Sequence, residues 1–282
     1  MKKITNHNGW IKALLSFFLI FIPQILGTAV LLIFQYDLSK ISSARIDLNA
    51  MIILEYSMII FMVILLWLFM KFIDKQPFIQ IGFGTKGRLK EFNYGILLGF
   101  IIMATAFLFL FSINEIVFSN FSFNLNKVLL SVILFVGVSI FEEVVFRGYL
   151  LKNLLESFNP FVALFISSIF FSLIHGSNPN VTTLGLCNIF LAGFFLGASY
   201  VFTKNLWFPI ALHFSWNFFQ AMFGFKVSGL DSYSIIEFTI PENNVLNGGE
   251  FGFESSFLSL VIILFSTILI WKFFKSTVQE NT

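Results

Sequence analysis

Eight runs of about twenty mostly apolar residues constrain this chain more than any other feature. They lie at approximately 12–34, 50–70, 93–117, 127–148, 160–175, 181–203, 207–225 and 256–274. A hydrocarbon core of roughly 30 Å takes about twenty residues of helix to cross. Of the 282 residues, 57% are hydrophobic, 42 are phenylalanine and only 11% are charged. Soluble domains carry about 25% charged residues, and no soluble fold of this length has interior enough for so much apolar surface. In lipid every backbone polar group must be satisfied within its own segment, which leaves helices for runs of this length. The expected fold is therefore all-α, a polytopic membrane bundle of about eight transmembrane helices. Its surroundings are the lipid bilayer, and no nucleic-acid partner is expected.

The basic residues set an orientation. Lys2, Lys3 and Lys12, then Lys71, Lys75, Lys86, Arg88 and Lys90, then Arg147, Lys152, Lys204, Lys272 and Lys275 all fall on one side of an eight-span arrangement. The longest loop, about 226–254, falls on the other side and sets Asp231, Glu237, Glu242, Glu250 and Glu254 against Lys226. This predicts a multi-pass protein of the cell membrane with both termini cytoplasmic. The apolar run behind Lys2 and Lys3 exceeds the about 7–15 residues of a signal-peptide core, so it reads as the first span.

The chain divides into N-terminal spans over 1–126, core helices over 127–225, and a loop with the last span over 226–282. Within the first part, 71–92 carries Pro77, Gly82, Gly84 and Gly87 among apolar residues and cannot span; it reads as a cytoplasmic interfacial stretch. The single cysteine, Cys187, excludes an intramolecular disulfide and reads as a small packing residue.

The ionisable residues within the spans are Glu55, Glu142, Glu143, Arg147, His175 and His213. A charge at mid-bilayer costs at least about 2.5–3.5 kcal/mol, so each needs a partner, a wet cavity or a neutral state. Glu55 lies near the outer end of its span, where solvation is available, and reads as structural. Glu143 and Arg147, at i, i+4, can meet on one helix face. Glu142 is rotated about 100° away and is left without a sequence-local partner, which suits it to act as a base that activates water. Phe171 stands one turn before His175, and Asn217 one turn after His213. Three polar clusters on three helices can converge inside a bundle. Together they offer a carboxylate base, imidazoles to orient water or bind a metal, and a carboxamide for an oxyanion.

In this order, Glu142-Glu143-x-x-x-Arg147, Phe171-x-x-x-His175 and His213-x-x-x-Asn217 resemble the CPBP intramembrane proteases, also called Abi or CAAX-protease-like, which include the Rce1-type prenyl endopeptidases. The likeness covers roughly 127–220, and the earlier "QPFIQIGF" resembles the family's interfacial segment. It implies a glutamate-dependent endopeptidase acting on a membrane-associated peptide or protein, with Glu142 as base and His175 holding the water. His213 and Asn217 would stabilise the oxyanion, with Glu143, Arg147 and Phe171 in support. If a divalent metal such as zinc takes part, Glu142, His175 and His213 would be its ligands.

Two other readings compete. One is a non-catalytic immunity or scaffold protein of the bacteriocin self-immunity type. The other is a haem carrier with His175 and His213 as axial ligands, which leaves Glu142, Glu143 and Asn217 unexplained. One topological tension follows from simple threading: His175 ends a short span that starts near Pro160, which places it toward the outside and away from Glu142 unless 148–158 re-enters the membrane.

Overall fold

A computed structural model describes residues 8–36 and 47–280, with side chains to 276; Lys2, Lys3 and His7 lie outside the described residues. The first span is broken into α1 (Gly9–Leu19) and α2 (Phe21–Ile33). Pro23 explains the break, because its ring crowds the carbonyl four residues back and it has no N–H to offer. Helix α3 (Leu48–Phe69) starts on Asp47, whose carboxylate accepts from the N–H groups of Asn49 and Ala50, and it ends in a wide π-helical turn, Met70–Asp74.

After α4 (Leu89–Ser112) comes a short strand, β1 (Val117–Phe121), and then α5 (Leu125–Glu143), capped by Asn124. Helix α5 does not end at the expected boundary. It continues through a π-helical stretch, Val144–Leu151, into α6 (Lys152–Ser157), making a 33-residue rod. Next are α7 (Pro160–Ile174), with Asn159 as cap and Pro160 in its first turn, α8 (Thr183–Thr203), α9 (Trp207–Met222), β2 (Ile236–Thr239) and α10 (Phe257–Glu280).

Among the described residues, seven helical segments are long and apolar enough to cross a membrane. The eighth expected span, 207–225, is the 16-residue α9, about 24 Å long. Twelve of its sixteen residues are buried, so it is an inner helix shielded by its neighbours rather than a full-length lipid-facing span. The chain is an all-α, multi-pass membrane bundle; the antiparallel β1–β2 ribbon is a small addition that no sequence pattern announced.

Close approach of helices depends on two pairs of glycines four residues apart, the spacing that lets membrane helices touch backbone to backbone. On α4, a Cβ at Gly95 would stand 2.8 Å from the Phe208 carbonyl oxygen, and one at Gly99 would stand 2.7 Å from the Ser215 side chain of α9. On α8, a Cβ at Gly193 would lie 2.5 Å from Ser168 Oγ, and one at Gly197 would lie 2.7 Å from Leu164 of α7.

The long α5–α6 rod also resolves the threading tension, without re-entrance. Fifteen positions separate Glu142 from Ser157, and fifteen separate Pro160 from His175. The two arms of this hairpin climb about 22 Å each from the turn at 158–159, which brings Glu142 and His175 level.

The 71–92 stretch turns one residue fully inward. Ile81 has no exposed surface, fills the space left by the missing side chain of Gly148, and accepts a hydrogen bond on its carbonyl from the Tyr200 hydroxyl at 3.0 Å. On the opposite side, the 226–256 segment is folded into the bundle. Phe251 and Phe253 are fully buried, and Asn188 of α8 donates to the carbonyls of Glu254 and Ser256, each at 2.8 Å. Cys187 is not a packing residue as expected; it faces the outer surface of α8.

Candidate active site

The carboxylate pair sits where α5 widens. Such wide turns shift one side chain relative to the regular helix and are frequent at functional sites. Glu143 and Arg147 are both essentially inaccessible, and Arg147 Nη1 donates to Glu143 Oε1 at 2.8 Å. The guanidinium also lies 4.4 Å from the centre of the Phe171 ring and donates to the Gly193 carbonyl at 3.4 Å. A buried cation that is paired, stacked on a ring face and hydrogen-bonded to a carbonyl is compensated on three sides. The small residue Gly193 therefore serves both the α7–α8 contact and the seating of Arg147.

Glu143 has a second partner that sequence spacing could not show. Its Oε1 is 2.8 Å from Nδ1 of His213 on α9. A carboxylate paired with Arg147 accepts only, so the Nδ1 atom of His213 carries the proton. On α7, Nδ1 of His175 lies 2.8 Å from the Phe171 carbonyl oxygen, which also accepts only. Both rings thus have Nδ1–H committed to the scaffold and turn Nε2 toward Glu142. The separations are 3.9 Å from His175 Nε2 to Glu142 Oε1 and 3.9 Å from His213 Nε2 to Glu142 Oε2. These gaps are too long for direct hydrogen bonds and suit a shared small molecule such as water. Glu142 Oε2 has no hydrogen-bond partner in the protein.

Asn217 lies one turn beyond His213 and lines the same space. That space is a cavity of about 980 Å³ with mostly apolar walls, reaching from Gln24 and Thr28 on α2 to Asn178, Ser228 and Glu254 under the 226–256 segment. Glu142, His175, His213 and Asn217, expected on three different helices, all line it, as does Phe171; Glu143 and Arg147 stand behind it. Glu254 accepts from the Ser228 N–H at 2.6 Å and the Ser228 hydroxyl at 3.0 Å. Burial raises its carboxyl above the ordinary carboxylate range, against the opposing pull of those two bonds.

Glu55 departs from the expectation of a solvated structural residue. It is only 6% exposed, lines the cavity, and its Oε1 has no partner. The hydropathy pattern could not show this, because it does not say which face of α3 meets α5.

Whether Glu142, His175 and His213 fit a zinc ion can be tested on their spacing. Tetrahedral ligands at about 2.1 Å from the metal stand roughly 3.3–3.4 Å apart, whereas each nitrogen here is 3.9 Å from its carboxylate oxygen. Among the described residues no three His, Cys, Asp or Glu side chains form a group that could hold a metal ion. As placed, the set is wider than a tetrahedral zinc site.

Comparison with known proteins gives one family: residues 124–219, about a third of the chain, match the description "Type II CAAX prenyl endopeptidase Rce1-like". No curated protein and no solved structure matches. The matched region runs from the cap of α5 to the last turns of α9, and so contains every residue of the three motifs.

Proposed function

This membrane protein is Rce1-like over residues 124–219, and from that premise we propose that it is an intramembrane endopeptidase. Glu142 activates the water that hydrolyses a peptide bond in a membrane-associated peptide or protein. The observation that carries this reading is the facing of two Nε2 atoms, from α7 and α9, onto the two oxygens of one carboxylate, each at 3.9 Å. Separate packing roles would let each polar group find its own partner elsewhere.

The chemistry balances with these groups alone. The lone pair of His175 Nε2 and the Glu142 carboxylate hold a water between them. Glu142 takes a proton from it as the water oxygen attacks the carbonyl carbon, and the π electrons move onto the carbonyl oxygen. The Asn217 amide donates to that oxyanion in any protonation state. His213 donates from Nε2 only when its ring also carries a second proton, because Glu143 holds the first on Nδ1. When the C–N bond breaks, the proton held on Glu142 passes to the departing nitrogen, leaving an acid and an amine. Buried walls keep the site at low dielectric, where these interactions are strongest. The protein resides in the cell membrane with both termini cytoplasmic.

The test is hydrolysis by the purified full chain in lipid nanodiscs, using quenched fluorescent peptides with and without a farnesylated C-terminal cysteine motif. Wild type should cut at one peptide bond. Glu142→Gln should fall by at least about a thousandfold while its thermal unfolding stays unchanged. Equal hydrolysis by both would remove Glu142 from the mechanism. Absence of hydrolysis of every peptide would favour the non-catalytic immunity or scaffold role.

A further inference from the structure

The cavity poses a problem that its helical walls do not solve. An extended peptide threaded past Glu142 brings a backbone N–H with almost every residue, and each one loses its water on burial. The lining residues come from helices and loops, with none from β1 or β2, so no strand edge is present to pair with the peptide. Along the helical walls, whose carbonyls are committed to their own helices, side chains must supply the acceptors. Among the described residues, three side chains that line the cavity each carry a buried oxygen with no partner: Glu142 Oε2, Glu55 Oε1 and Asn188 Oδ1. Glu142 is assigned to the water. The amide nitrogen of Asn188 is occupied in holding the 226–256 segment, so changing Asn188 would disturb the fold. Glu55 has no such second duty.

The surroundings of Glu55 look built for it. It lies seven residues into α3, about 10 Å below the start of the helix. The catalytic helix makes room for it at Gly137, where an added Cβ would stand 3.0 Å from Glu55 Cγ. Gly137 precedes Glu142 by five positions, about 7.5 Å along α5. Extended peptide advances about 3.3 Å per residue, so this offset corresponds to about two residues of substrate.

We propose that Glu55 is a substrate-binding residue that accepts an N–H of the bound peptide about two residues from the scissile bond. The donor is a backbone amide, or the N–H of a side chain at that position. This role rests on the peptidase reading above and adds a specificity-determining contact on a helix outside the Rce1-like region. An unpartnered buried acceptor is costly in the empty protein, as expected of a group whose partner arrives with the ligand.

Binding can be read without turnover. Full-length protein carrying Glu142→Gln in nanodiscs is titrated with a fluorescein-labelled peptide that wild type cleaves, and anisotropy gives Kd. Adding Glu55→Leu should weaken binding about tenfold or more. Adding Glu55→Gln, which keeps an acceptor oxygen, should recover most of that loss. Thermal unfolding of Glu55→Leu should be at or above that of its parent. A series of peptides, each with one backbone N-methyl group, should show one position about two residues from the cut where methylation is costly only when Glu55 is present. A parallel series with single side-chain N–H donors removed separates the two donor sources. Unchanged Kd in Glu55→Leu, or penalties that persist equally without Glu55, would overturn the assignment even where wild type hydrolyses the peptide. If wild type cleaves no peptide, both the peptidase reading and this role fall.

Discussion

Nδ1 of His213 and Oε1 of Glu143 lie 2.8 Å apart although seventy positions of sequence separate them. This bond fixes which nitrogen of His213 faces the water site, and so links the inner helix α9 to the wide turn of α5. Glu143 therefore acts on the reaction through His213 rather than by touching substrate. Glu143→Gln should lower kcat by about tenfold to a hundredfold and leave KM little changed, since a neutral amide oxygen holds the ring's Nδ1–H less firmly than a carboxylate does, while the apolar cavity stays intact. A rise in KM alone would show that Glu143 shapes the cavity and not the ring.

Arg147 tests the other side of that carboxylate. Arg147→Ala strands Glu143 in the bundle and removes the cation stacked on Phe171, so unfolding free energy should drop by about 3–5 kcal/mol. The double variant Glu143→Leu, Arg147→Met replaces the pair with apolar volume and should regain most of the thermal stability while remaining poorly active. A single variant with wild-type stability and no hydrolysis would give Arg147 a direct part in the chemistry.

These two residues also show what the sequence could reveal. Spacing of i, i+4 is a local property of a helix, so Glu143–Arg147 and the Phe171–His175 and His213–Asn217 faces were all legible, as were the apolar runs that become membrane helices. Contacts across helices were not. The His213–Glu143 bond, the orphaned oxygen of Glu55 and the burial of Phe251 and Phe253 under the bundle depend on which faces meet. The count of spans was blurred by α9, whose apolar run continues into Phe223 and Phe225 after the helix has stopped at Met222. Hydropathy measures how greasy a stretch is, and cannot tell a helix buried in protein from one facing lipid.

The glycine contacts give a prediction that needs no substrate. A side chain at Gly193 must displace Ser168, and one at Gly99 must displace Ser215, in each case with backbone atoms directly behind. Gly193→Leu and Gly99→Leu should each lower the folded yield sharply and shift the melting of whatever folds by several degrees. Gly84→Ala, where the nearest atom is Asn205 Nδ2 at 3.8 Å, should be neutral. The milder Gly193→Ala should also reduce hydrolysis more than its stability loss accounts for, because the Gly193 carbonyl helps seat Arg147. Equal melting of the leucine and control variants would mean that these helices are not packed as closely as the structure has them.

The orientation of the bundle yields the last prediction, from charge and helix length together. Lys86 is exposed in the segment joining α3 to α4, beside Arg88 and Lys90. Glu242 is exposed beyond β2, in the acidic segment that joins α9 to α10. From Lys86 to Glu242 the chain runs through α4, the α5–α6 rod, α7, α8 and α9. If α9 crosses despite its 16 residues, five crossings separate the two positions, an odd number, and they lie on opposite faces. If α9 only dips into the bundle and returns, the number is even and they share a face. Single cysteines at Lys86→Cys and Glu242→Cys, each in a Cys187→Ser background, are to be labelled in intact cells with a membrane-impermeant thiol reagent. The Glu242→Cys variant should label in intact cells, and the Lys86→Cys variant only after the membrane is opened, as the excess of Lys and Arg on the cytoplasmic side requires. Labelling of both in intact cells, or of neither, would make α9 a re-entrant helix, and it would place the last span and the carboxyl terminus on the opposite side.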